Sequence, residues 1–153
     1  LITMFLMFIG GAPAGTAGGL KVTTFFALLQ TTKANLRKQK DVTAFNRRIP
    51  TDNIGKATTL FMVSIIWVGV ATIILTISDG TNSISNLLYE VISAYGTVGL
   101  SRGITPGLSV VGKLTIMLTM IFGKIGPLSM VYVFSNRSST NAFREAEESI
   151  LVG

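Results

Sequence analysis

Hydrophobic and polar positions divide the chain into long apolar blocks, split by charged or glycine-rich stretches. The cleanest block is 57–78, "ATTLFMVSIIWVGVATIILTIS", 22 residues without a charge. As a helix it measures about 33 Å, close to the roughly 30 Å hydrocarbon core of a bilayer. A buried helix of a soluble protein is the alternative at this length. A second apolar block, 109–135, is interrupted only by Lys113 near its start and by Lys124. The first, 1–32, carries only Lys21 and breaks at "GGAPAGTAGG", residues 10–19. The "APA" there has the look of a signal-peptide cleavage site, but no basic segment precedes it and a second apolar run follows. The chain opens on Leu1 within an apolar run, so the expectation is a piece of a longer protein.

Charge decides the sides. Between Lys33 and Lys56 inclusive there are seven Lys/Arg against two Asp, whereas 79–108 holds one Arg against one Asp and one Glu. The positive-inside rule puts the first connection in the cytoplasm and the second outside. Residues 137–153 then return to the cytoplasm, as a short helix or a docking strand. Only 13% of residues are charged, about half the share of a soluble domain. The net +6 therefore reads as a topology signal. No strip of alternating aromatic and basic residues suggests nucleic acid. The chain has no cysteine and no histidine. That excludes disulfides and cysteine metal sites and removes the commonest general base.

The outer connection has internal order. In "ISNLLYEVISAYG", apolar residues at 84, 87, 88, 91, 92 and 95 keep a helical spacing. Ser83 or Ser85 is a candidate cap. The expected helix, 84–95, reaches roughly 18 Å, half a bilayer, which fits a re-entrant segment; an interfacial or surface helix is the alternative. Next comes "TVGLSRG", then "ITPG" as a turn. A half-depth helix followed by a glycine-bearing strand can present backbone carbonyls to a cation. Gly99 permits angles that a Cβ forbids, and the helix points its negative end at mid-membrane.

Depth links two further features. Eleven uncharged residues separate Lys21 from Lys33, about 17 Å of helix, so the 10–19 break ends near the midplane. Lys124, eleven residues after Lys113 and thirteen before Arg137, falls at a similar depth. Non-helical backbone there must be buried in protein or line water. A central lysine costs roughly 2.5–3.5 kcal/mol and usually faces a cavity. The break and the charge are expected to share an aqueous passage. Other readings are a GxxxG packing motif at Gly15 and Gly19 and a snorkelling Lys124 or its ion pair with Glu90. A phosphate loop is weaker, because Leu20 stands where a glycine should precede the lysine. For Glu90, a structural hydrogen bond is favoured over ion binding.

"FIGGAPAGTAGGLKVTTF", "SAYGTVGLSRGITP" and "IFGKIGPLS" together resemble the C-terminal part of the Trk/Ktr/HKT superfamily of potassium transporters, most closely its bacterial Ktr-type membrane subunits. Nearly the whole chain is covered. The resemblance implies an all-α integral membrane fold of four repeats, each a span, a re-entrant pore helix with filter strand, and a span. Residues 1–36 would be the broken second span of repeat three, 37–56 a cytoplasmic basic loop and 57–136 repeat four. Within repeat four lie a span at 57–78, the pore helix at 84–95, the filter at 96–101 and a span at 109–135. It further implies filter residues Thr97, Val98, Gly99 and Leu100 and an intramembrane gate loop with Gly10, Gly11, Gly15, Thr16, Gly18 and Gly19. Lys124 would be a pore barrier where the family usually has arginine. Pro13 and Ala14 replace more usual small polar residues.

The expectation is therefore potassium uptake across the cell membrane by a multi-pass protein that makes and breaks no chemical bond. Potassium is the transported ion, with sodium coupling left open, and no cofactor is implied. The resemblance also implies a homodimer and a cytoplasmic nucleotide-binding regulatory ring. The competing readings are a secondary transporter of an anionic solute using broken half-helices and a non-transporting membrane scaffold.

Overall fold

The computed structural model describes residues 1–12, 15–38, 42–44 and 47–126. Pro13, Ala14, residues 127–135 of the last expected span and the expected tail at 137–153 lie outside the described residues. In chain order the elements are α1 (Ile2–Phe8), α2 (Val22–Leu36), β1 (Thr43–Ala44), β2 (Arg47–Arg48), α3 (Thr51–Ser78), α4 (Ile84–Gly96) and α5 (Val110–Ile125). The strands form one small antiparallel ladder, Thr43 opposite Arg48. Among the described residues the other regular elements are helical, including a 3₁₀ turn at Thr105–Gly107.

α3 starts six residues before the uncharged block. Pro50 supplies a preset φ of −58°, and its carbonyl accepts from Asn53 N (3.1 Å). The apolar run marks the part suited to lipid, whereas the helix continues into polar sequence, so part of the expected 37–56 loop is helix and ladder. Among the described residues, one helix, Asn53–Ser78, is long and apolar enough by length and composition to cross a membrane.

Ser83 stands at the N-cap of α4, but its carbonyl does the capping: it accepts from Asn86 N (2.8 Å) and Leu87 N (3.1 Å), with no side-chain cap bond. α5 has a side-chain cap, Ser109, whose Oγ accepts from Gly112 N (3.0 Å). Within the described residues it runs to Ile125 and ends on Gly126, where φ is +87°; the rest of the expected 109–135 span lies outside the described residues. A positive φ is a backbone state that glycine adopts without a Cβ penalty, which suits Gly126 to the end of α5.

α4 is the centre of the fold, packed against α1, α3 and α5. Leu87, Val91 and Tyr95, four residues apart, have no exposed surface and form the buried stripe that the periodicity predicts. Tyr95 reaches across to α3, where its hydroxyl and Ser64 Oγ lie 2.5 Å apart. Its ring stacks on Phe8 of α1, centroids 5.6 Å apart. Trp67 of α3 stacks on Phe122 of α5 at 4.3 Å. The opposite faces of α3 and α5 carry exposed Ile66, Ile73, Leu114 and Leu118, an apolar exterior that an aqueous protein would not keep.

Candidate functional site

The break in the first apolar block runs from Ile9 to Lys21, slightly longer than the glycine-rich 10–19 stretch, because α1 ends at Phe8 and α2 begins at Val22. The loop turns back on itself. Ile9 and Leu20 form a parallel bridge, Leu20 N donates to Phe8 O (3.2 Å) and Gly10 N donates to Leu20 O. The returning arm, Gly18 and Gly19, then lies against the ends of α4 and α5. Gly18 N donates to Thr97 Oγ1 (2.8 Å), and Gly19 N donates to Gly123 O (3.3 Å).

This meeting point is made of backbone. A Cβ on Gly123 would overlap the Tyr95 carbonyl oxygen, and one on Gly96 the Met7 carbonyl oxygen. One on Gly18 would press on both the Thr97 side chain and Gly123 O. Glycine inside a helix costs about 1 kcal/mol relative to alanine. Gly96 and Gly123 were the sequence signal for this close approach, and the sequence reading gave neither a packing role. Gly96, expected as the first filter residue, is the last residue of α4.

At the end of α4 the chain turns through a Schellman arrangement. Val98 N donates to Ser93 O (3.0 Å) and Thr97 N to Ala94 O (3.1 Å). The left-handed position of this motif usually holds glycine, yet here it holds Thr97 at φ +53°, ψ +36°. A β-branched residue there is strained. Its bond from Gly18 N offsets that strain and ties the start of the candidate filter to the broken helix. Residues 98–102 form neither helix nor strand; Gly99 has φ +83° and no atom where its Cβ would stand. Val98 and Leu100 are about half exposed. A cavity of about 330 Å³ lies between α4, this segment and α5, lined by Glu90, Ser93, Thr97, Gly99, Ser101 and Met120.

Lys124 sits in the last turn of α5, where the helix dipole favours a cation. α5 ends one residue later, at Ile125, and the residues that would make Lys124 mid-span lie outside the described residues. Its Nζ donates to Thr16 O (2.6 Å). From the other side Lys21 Nζ donates to Ala17 O (3.0 Å) and Gly15 O (3.4 Å). Three successive loop carbonyls thus face two ammonium groups. Lys21 and Lys124 also line one cavity of about 270 Å³, with Gly19, Thr24 and Gly123. The ion pair of Lys124 with Glu90 is not formed, because among the described residues Glu90 accepts from Ser101, Arg102 and Thr105 instead.

Thr16, Gly18 and Gly19 therefore touch Lys124, Thr97 and Gly123, while Gly11 and Gly15, earlier in the same loop, accept from Val22 N and Lys21 Nζ. Among the described residues, the loop's hydrogen bond to the 97–100 segment is made at Thr97. Among the described residues there is no group of three or more acidic, histidine or cysteine side chains suited to a metal.

A family model described as TrkH, cation transport protein, matches residues 1–144. The potassium/sodium uptake protein NtpJ of Enterococcus hirae is 40% identical, covering 100% of this chain and 35% of its own length. The Ktr system potassium uptake protein B of Bacillus subtilis is 38% identical, covering 92% of this chain and 32% of its own. The protein of the same name from Vibrio alginolyticus is 34% identical, covering 100% of this chain and 33% of its own. The chain thus spans about a third of the length of these curated relatives. With nearly every residue inside the matched region, the chain belongs to the TrkH family of cation transport proteins.

Proposed function

We propose that this chain forms part of the wall of a potassium-uptake path in a multi-pass protein of the cell membrane. Thr97, Val98, Gly99 and Leu100 supply carbonyls to the passing ion, and the 10–19 loop with Lys124 forms a constriction beyond them. The observation that carries this reading is the pair of contacts made by one loop: Gly18 N on Thr97 Oγ1 and Thr16 O on Lys124 Nζ. Backbone broken in an apolar segment, Thr97 at the start of a glycine-bearing segment and a lysine meet around one loop, which suits a wet passage. The negative C-terminal end of α4 favours a cation there. The relatives' names, potassium and potassium/sodium uptake proteins, support potassium as the ion, with sodium as its companion or competitor.

The Ktr-system names also support a separate regulatory subunit. We assign it to the basic, cytoplasmic side as a nucleotide-binding ring, with the membrane subunit a homodimer. The test is rubidium uptake by the full-length protein in potassium-deprived cells. Saturable rubidium uptake, competed by potassium, is expected. No uptake above that of non-expressing cells, or transport that follows an anion instead, would overturn the proposal.

A further inference from the structure

We infer that Glu90 is a positioning residue that fixes the far end of the filter segment; this rests on the proposed potassium path. The segment is held at its start by the turn at the end of α4 and by Gly18 on Thr97. Gly99, in its middle, has no neighbour where a Cβ would stand. Its far end needs a separate anchor, and Glu90 is placed to be that anchor.

Glu90 lies on α4 nine residues before Gly99, and the chain doubles back so that residues 101–105 return beside it. Its Oε1 accepts from Ser101 Oγ (2.7 Å) and from Arg102 N (2.8 Å), and its Oε2 accepts from Thr105 Oγ1 (2.9 Å). Ser101 Oγ in turn accepts from Gly103 N (2.9 Å). One buried carboxylate, 5% exposed, thus gathers a main-chain amide and two hydroxyls from residues 101–105, the end of the filter segment and the turn beyond it. The neighbouring guanidinium is engaged elsewhere: Arg102 Nη1 donates to Asn86 Oδ1 (2.7 Å), and its Cζ stands 4.8 Å over the Tyr89 ring. Glu90 therefore acts on the filter segment through directed hydrogen bonds, and α4 passes its own rigidity to both ends of that segment.

The chemistry separates position from charge. In Glu90→Gln the amide oxygen can take over the Ser101 and Arg102 bonds, and the amide nitrogen can donate to Thr105 Oγ1. Glu90→Ala removes all three bonds. The readout is sodium inhibition of rubidium uptake by the full-length protein, with KM and maximal rate for rubidium, at matched membrane amounts. Expected is a loss of rubidium-over-sodium preference in Glu90→Ala of about tenfold, the equivalent of one hydrogen bond to a charged group. Glu90→Gln should stay within about twofold of the parent. Parental preference in Glu90→Ala overturns the inference, as does a Glu90→Gln variant as unselective as the alanine. Should Glu90→Ala not reach the membrane, Ser101→Ala and Thr105→Val each remove one donor; an intermediate loss in either supports the anchor, and parental preference in both overturns it. If the parent itself takes up no rubidium, the proposed function fails, a result distinct from any change among variants.

Discussion

Replacing Lys124 with serine should speed transport. In the structure the Lys124 ammonium holds Thr16 O at 2.6 Å, across 108 residues of chain. A hydrogen bond from a charged donor is worth about 1.5–3 kcal/mol net; because Lys124 is solvent-exposed in this chain, the lower end applies. Serine is too short to reach the carbonyl, so the loop loses about 1.5 kcal/mol of tethering, or about tenfold in the ratio of displaced to docked loop. Where docked loop predominates, the maximal rate of rubidium uptake should rise by up to that factor. Lys124→Arg keeps a cationic donor and should transport near the parental rate. The assay is initial rubidium uptake over a concentration series, normalised to protein in the membrane. A Lys124→Ser rate equal to or below the parent's would refute the tether, and so would a change confined to KM.

Gly99→Ser should lower potassium-over-sodium preference, because a side chain at φ +83° is strained and disturbs the carbonyls beside it; unchanged preference counts against the filter assignment. Gly123→Ala should destabilise the fold by about 1–3 kcal/mol, since its Cβ overlaps the Tyr95 carbonyl oxygen. A thermal melt of the full-length protein in detergent with parental Tm would exclude that packing. Asp79, just past the end of α3, has its carboxyl held below the ordinary 3.8 by the Ser78 hydroxyl first and the Ser109 amide next. A lowered folded pKa means stability that is present above 3.8 and lost as pH falls through the folded value. Parental Tm should therefore decline below about pH 4, and Asp79→Asn should flatten that limb; identical acid profiles would disprove the linkage.

The buried stripe of α4 was legible because apolar spacing reports burial directly, and Leu87, Val91 and Tyr95 carry it. The break between α1 and α2 was legible because five glycines and a proline within 10–19 leave a helix little to hold it. What the pattern could not convey is partner choice. Depth counting brought the loop and Lys124 to one level, but a count along the chain cannot say that Nζ selects Thr16 O. Glu90 was read as a structural hydrogen bonder, yet its donors lie eleven to fifteen residues away beyond a turn, where no helical period points. α3 begins six residues ahead of the expected 57–78 span because hydropathy registers solvent, whereas helix limits follow the backbone, here set at Pro50.

The junction where Gly18, Gly19, Gly96 and Gly123 meet contains almost no interlocking side chains. Displacing the loop there breaks a few polar contacts and leaves the stacked rings of Phe8, Tyr95, Trp67 and Phe122 undisturbed. Little apolar surface changes its hydration in such a step, so its heat-capacity change should be small. The temperature dependence of turnover through this joint should then follow a nearly straight Eyring line, unlike the curved one of a rearrangement that unpacks a core.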